Sequence, residues 1–220
     1  MKTRIYAFSN MIRIFNFLIL LLLNGCSVPD LRDKDIFKIA RKEAVEISVL
    51  KREFMYGMMW LYTDDDNETF SGWVKESYSN KKLKSLGYLE NGQKQGFWIG
   101  WHQNGQKESL VEWNLSYLHG SYEYWHPNGK VHVVGQTIEG EMNGEWKEYY
   151  TTGRPEAHSD NNMGKLIWKK VWLPNGQKCI HSEVKNGNGF YIEYNEDGNN
   201  SLKRVYKNGR EIKTSTTNSI

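Results

Sequence analysis

Gly96-Phe97-Trp98-Ile99-Gly100-Trp101-His102-Gln103-Asn104-Gly105 is a unit that the chain rewrites four more times, at residues 120–129, 144–153, 168–176 and 189–198. The closing glycines are Gly105, Gly129, Gly153, Gly176 and Gly198, so the steps are 24, 24, 23 and 22 residues. A second column, Trp101, Trp125, Tyr149, Trp172 and Tyr194, keeps the same steps and always precedes the closing glycine by four. Two columns in phase define a tandem repeat, and the repeat is the level at which the fold is read.

Asn-Gly or Asp-Gly between short aromatic and β-branched runs signals a two-residue type I′ hairpin turn, because both central positions need positive φ. Each period therefore reads as one hairpin. The motif forms the strand before the turn, and a polar run such as 106–113 or 130–137 forms the strand after it. Hairpins joined in this way make a meander growing in one direction, about 12 strands and on the order of 55 Å long at ~4.8 Å per strand. Two units depart from the pattern. Thr151-Thr152-Gly153 replaces Asn-Gly, and Trp168 and Trp172 stand four apart instead of three, which predicts a bulge in the fourth unit.

The Gly-x-aromatic-x-x-aromatic-x-x-Asn-Gly core, with Tyr88-Leu89-Glu90-Asn91-Gly92 and Tyr206-Lys207-Asn208-Gly209 as flanking echoes, resembles the MORN repeat. The resemblance is to the short bacterial variant found in tandem in antitoxin-like proteins of the YwqK type and in envelope lipoproteins. It spans residues 72–212. It implies an all-β fold, an elongated antiparallel meander sheet of tandem β-hairpin (MORN-type) repeats with a short N-terminal helix or strand cap. It implies little about activity beyond binding a protein.

Residues 1–25 read as a lipoprotein signal peptide. Lys2, Arg4 and Arg13 form a basic leader, the apolar core from Ile14 to Leu23 is too short to span a bilayer as a helix, and Leu23-Asn24-Gly25-Cys26 resembles a lipobox. Translation from Met11 is an alternative start. Cys26 is the expected lipidation site, and Ser27 after it resembles outer-membrane sorting signals, which would place the chain in the bacterial cell envelope, facing the periplasm. Without the leader's three cations, the 29 Lys and Arg fall to the number of Asp and Glu, 26. A neutral mature chain disfavours nucleic acid as a partner. Cys179 is then the remaining thiol, so no intramolecular disulfide is expected.

Residues 26–44 are read as a charged tether and a short amphipathic helix carried by Ile36, Ile39, Ala40 and Ala44. Residues 45–71 are read as an N-terminal β cap, starting with an alternating strand at Val45–Val49 and ending in a turn at Asp64–Asn67. Gly72-Trp73 with Tyr78 and Asn80 looks like a worn first repeat, and residues 213–220 are expected to be a disordered tail.

Catalytic signals are sparse. Asp64, Asp65 and Asp66 lack the alternation and distal glutamate of an EF-hand, so they read as a solvated turn. His102 and His126 share one repeat register, but equivalent positions lie two strands or ~10 Å apart, too far to share a metal whose ligands sit ~2 Å from it. No nucleophile elbow, His-Glu-x-x-His or Walker loop occurs, and no cofactor, metal site or small-molecule substrate is expected. The aromatics remain. Trp98 and Trp101 are an odd number apart and point to opposite faces, giving one column of Trp98, Tyr122, Trp146, Trp168 and Tyr191 and another of Trp101, Trp125, Tyr149, Trp172 and Tyr194. Such columns can simply brace a single-layer sheet. The second is the candidate protein-binding face, since Trp, Tyr and Arg are enriched at binding hot spots. The expected function is a membrane-anchored protein-binding module, of which an immunity or antitoxin-like protein is one form. A scaffolding envelope lipoprotein is the alternative, and a hydrolase using His and Asp the remotest.

Overall fold

The structure is a computed structural model that describes residues 28–55, 59–198 and 200–216. Residues 1–25, read as a signal peptide, and Cys26 lie outside the described residues. Helix α1 (Lys34–Glu43) starts where Asp33 accepts from the backbone N–H of Asp35 and Ile36 at 2.8 and 3.0 Å, and ends with Arg41 and Lys42 against its negative pole. Strand β1 (Val45–Glu46) follows, then a single 3₁₀ turn at Ile47–Val49. β2 (Lys51–Met55) and β3 (Met59–Thr63) form a separate two-stranded sheet.

The main sheet has fourteen strands. After β1 come β4 (Gly72–Ser77), β5 (Leu83–Glu90), β6 (Gln93–Trp101), β7 (Lys107–Asn114), β8 (Tyr117–Trp125), β9 (Val131–Ile138) and β10 (Glu141–Tyr149). Then follow β11 (Pro155–Asn162), β12 (Lys165–Trp172), β13 (Lys178–Lys185), β14 (Asn188–Tyr194), β15 (Asn200–Lys207) and β16 (Arg210–Thr216). From β4 on, each strand pairs antiparallel with the next, and the sheet does not close. The all-β meander with a short helix is thus the fold. The five clear hairpins and the worn repeat's β4 and β5 make the expected dozen, and β16 at one end with the parallel β1 at the other bring the sheet to fourteen. The end expected to fray from Lys213 instead continues β16 to Thr216, with Lys213 opposite Val205 and Ser215 opposite Lys203. The strand expected at 45–49 lasts two residues, because here the chain crosses the sheet's edge from one face to the other. α1 packs on one face, with Leu31, Ala40, Trp73, Leu86, Phe97 and Ile99 in its core. Ile47, Leu50 and Tyr62 pack on the opposite face against Val74, Leu89, Trp98 and Val111.

The turns correct the sequence reading. In the closing Asn-Gly loops only the glycine has positive φ, as at Gly105 (92°) and Gly129 (81°). Gly129 N–H donates to His126 O, and His126 N–H to Lys130 O, both at 2.8 Å, so the loop is a type I turn closed by a glycine bulge. Pro127 and Pro174 stand at the second turn position, where their fixed φ suits type I. The two-residue type I′ turns occupy the other edge, with both residues at positive φ. They are Asn91-Gly92, Leu115-Ser116, Glu139-Gly140, Met163-Gly164, Asn186-Gly187 and Asn208-Gly209.

Two devices tie neighbouring hairpins together. On the type I edge, Tyr78 Oη donates to Trp101 O (2.7 Å), His102 Nε2 to Trp125 O (2.8 Å), His126 Nε2 to Tyr149 O (2.7 Å) and Tyr150 Oη to Trp172 O (2.7 Å). A carbonyl only accepts, so both imidazoles carry their proton on Nε2. In mid-strand, aromatic rings lie on glycine backbone: a Cβ at Gly87 would stand 2.0 Å from the Trp98 ring, and one at Gly135 would stand 2.3 Å from Trp146.

Candidate functional site

Residues paired across neighbouring strands share a face, so register traces one row along the face that the β2–β3 hairpin covers at its start. Trp98 pairs with Val111, Val111 with Tyr122, and Tyr122 with Gly135, over which Trp146 lies. The Trp146 and Tyr122 rings are 5.0 Å apart. Trp146 pairs with Ser159, Ser159 with Lys169, and Lys169 with Val184. The inner aromatic column therefore breaks in the fourth unit. Trp168, expected to continue it, pairs with Asp160 and turns to the other face, where its ring meets His158 edge-on at 4.8 Å. The cause is the one-residue shift of register between Asp160 and Asn161, a bulge that places Ile167 opposite no single residue. Counting back three from Trp172, as in the other units, lands on Lys169.

A lysine in an aromatic column needs partners. Lys169 Nζ lies 2.7 Å from Glu148 Oε1 and 4.7 Å from the centroid of the Tyr191 ring, with its side chain 12% exposed. Around it is a cleft of about 200 Å³ lined by Glu148, Glu156, Lys169, Trp172, Tyr191 and Tyr194 among others. Burial, with Glu148 adding repulsion, pushes the Glu156 carboxyl up to about 7. Burial likewise raises the Tyr191 and Tyr150 phenols, and it brings Tyr194 to about 12 with help from the Cys179 thiol, whose Sγ is 3.3 Å from Tyr194 Oη. Next to the cleft, Arg204 is held between Glu193 (2.6 Å) and Glu211 (3.1 Å), and Tyr206 stacks on Tyr191 at 5.7 Å. The arrangement can hold a charged or hydrogen-bonding group against aromatic walls. Among the described residues no three His, Cys, Asp or Glu gather to hold a metal.

The residues of the outer column fall in different settings. The Trp101 ring lies 6.0 Å from Phe37 of α1, and Trp125 packs toward the same cluster with Lys107 Nζ 4.7 Å from its ring. Tyr149 is half-buried, and its carbonyl receives the His126 bond. Trp172 and Tyr194 converge on the cleft. The column is thus split between an end covered by the chain's own helix and an end with no covering layer among the described residues. Glu148, Tyr150, Glu156 and Lys169 escaped the sequence reading, although the shared step of 23 from Tyr149 to Trp172 and from Gly153 to Gly176 assigned Lys169 to the place of Trp146.

No family model matches this chain, and no curated protein matches it in sequence. The MORN resemblance rests on the repeat residues themselves.

Proposed function

We propose that the chain is a lipid-anchored protein of the bacterial envelope whose repeat sheet binds a protein partner, and that the partner is taken at the Lys169 cleft beside Trp172 and Tyr194. The observation that carries this reading is the replacement of an aromatic rung by a partly buried ion pair in the half of the sheet that neither α1 nor the β2–β3 hairpin covers. A partly buried ion pair adds little, about 1 kcal/mol or less, relative to a packed apolar pair, so the fold gains little from it. Breaks in an otherwise consistent pattern are where function is expected. Polar groups against aromatic walls also match the composition of binding hot spots. Anchoring is supported by the lipobox-like Leu23-Asn24-Gly25-Cys26. The narrower role of an immunity or antitoxin-like partner is supported by the repeat resemblance.

The test uses photo-crosslinkers at Trp172 and Trp125 in membranes of the native host. A discrete adduct is expected from position 172 and not from 125, and the paired change Lys169→Met with Glu148→Gln should remove it while leaving the melting temperature unchanged or higher. A scaffold without a partner would give no discrete adduct at either position. Labelling with a palmitate analogue that persists on Cys26→Ser would reject the anchor.

A further inference from the structure

The stretch just after the lipidation position is not a free tether. Val28 packs on Gly96 so closely that a Cβ there would stand 2.7 Å from Val28 Cγ1. Leu31 is buried in the core beneath α1, and the Arg32 guanidinium lies 3.9 Å over the Phe97 ring. Residues 28–30 border a recess of about 350 Å³ whose other wall includes Gln95, Asn114 and His119, at the ends of strands that meet in the type I′ turns. Cys26 precedes Val28 by two residues, a reach of at most ~7 Å of extended chain.

That edge carries an anomaly. Type I′ turns favour Asn and Gly because both central φ angles are positive, yet the turn beside the docked segment is Leu115-Ser116, at φ 50° and 65°. A bulky apolar residue is strained there. The turn is held in place all the same: Leu115 N–H donates to Gln95 Oε1 at 2.8 Å and Ser116 N–H to Lys94 O at 3.0 Å. Leu115 is 52% exposed and Tyr117, opposite Asn114, 63%. An apolar side chain and an amphipathic aromatic at a water-exposed turn are the pair suited to a membrane interface.

Resting on the lipid-anchor reading above, we infer that the type I′ edge around Leu115 and Tyr117 is seated on the lipid headgroups of the bilayer that receives the Cys26 acyl chains. The sheet then stands on this edge instead of swinging on a linker. Strands of seven to nine residues at ~3.3 Å each hold the opposite edge, with the Lys169 cleft near it, ~25 Å from the lipid.

Nitroxide probes at Leu115→Cys, Tyr117→Cys and Ile180→Cys, each with Cys179→Ser, test this in the intact lipidated chain reconstituted in phosphatidylethanolamine–phosphatidylglycerol vesicles. Ile180 is 76% exposed and lies toward the opposite edge. The 115 and 117 probes should become several-fold more accessible to oxygen than to an aqueous nickel chelate on reconstitution, and the 180 probe should not. Probes at 115 and 117 that stay as open to nickel as the one at 180, in protein whose mass shows acylated Cys26, overturn the seated edge and leave the anchor standing. A mass without acyl groups removes the anchor and this inference together.

Discussion

Gly135→Ala is expected to destabilise the sheet even though its φ lies outside the left-handed region. The obstacle is the ring above it: a new Cβ would lie 2.3, 2.5 and 2.7 Å from Cδ2, Cε2 and Cε3 of Trp146. Carbon atoms settle at ~3.5 Å or more, so the indole must retreat by about 1 Å. Trp146 is 4% exposed, with Tyr122 against it and its own Nε1 buried without a hydrogen bond, so it has little room to move. Overpacking of this kind costs ~1–3 kcal/mol. Trp146→Ala alone should cost ~3–5 kcal/mol. In that background the clash disappears, and Gly135→Ala becomes neutral or stabilising by up to ~1 kcal/mol through the unfolded chain. Urea unfolding of the non-lipidated Cys26→Ser protein, followed by far-ultraviolet circular dichroism, should therefore give a coupling of at least ~1 kcal/mol in the double-mutant cycle. Additivity within ~0.5 kcal/mol would refute the ring-on-glycine packing. Gly100→Ala is the control, since its Cβ clashes with the Ser109 hydroxyl alone, which can rotate away, and meets Glu108 Oε2 and Ser109 Cβ at an ordinary 3.7 Å.

Gly129→Val should cost ~1–3 kcal/mol in the same assay because φ is 81° there, and Gly129→Asn less than half of that; equal midpoints would contradict the glycine bulge. Glu156 gives a pH signature: its carboxyl is raised to about 7, so the protonated form suits the fold, and its contribution is fully present below the ordinary carboxylate range and lost as pH rises through 7. Glu156→Gln should therefore gain ~1 kcal/mol on wild type between pH 5 and pH 8, a figure discounted for the water that reaches this side chain. Parallel melting curves for the two proteins across that range would remove the cleft's buried carboxyl from the account.

The period, the alternation of faces and the meander were legible because glycines and aromatics recur in phase, and that phase survives wear. Turn type was less legible. Asn-Gly serves both a type I′ turn and the end of a type I turn with a bulge, and only the extra residues between Trp125 and Gly129, with Pro127 among them, separate the two. Leu115-Ser116 hides a type I′ turn altogether, since neither residue advertises positive φ. Lys169 was concealed by its neighbour: Trp168 is the nearest aromatic, but a one-residue slip in a strand reverses the face, and only register against β11 shows which residue stays in the row. The histidines were set aside as metal ligands on distance. Their role as bridges needed the carbonyl of the next hairpin, which pattern alone does not place.

The bridging column ends at Leu173, which takes the place that Tyr78, His102, His126 and Tyr150 fill earlier and has no side-chain donor to offer the next hairpin. In a linear array each unit is stabilised only by its neighbours, so cooperativity is no stronger than the weakest junction. β12 is in register with β13 at Lys169–Val184, Lys170–Glu183 and Trp172–Lys178, with a slip between the second and third pairs. β13 meets β14 over three pairs as well, so the sheet is expected to part around β13. Amide protons of β14 to β16 should therefore exchange through openings that leave β4 to β11 closed, and the Lys169 cleft, with walls on both sides of that junction, should respond to them.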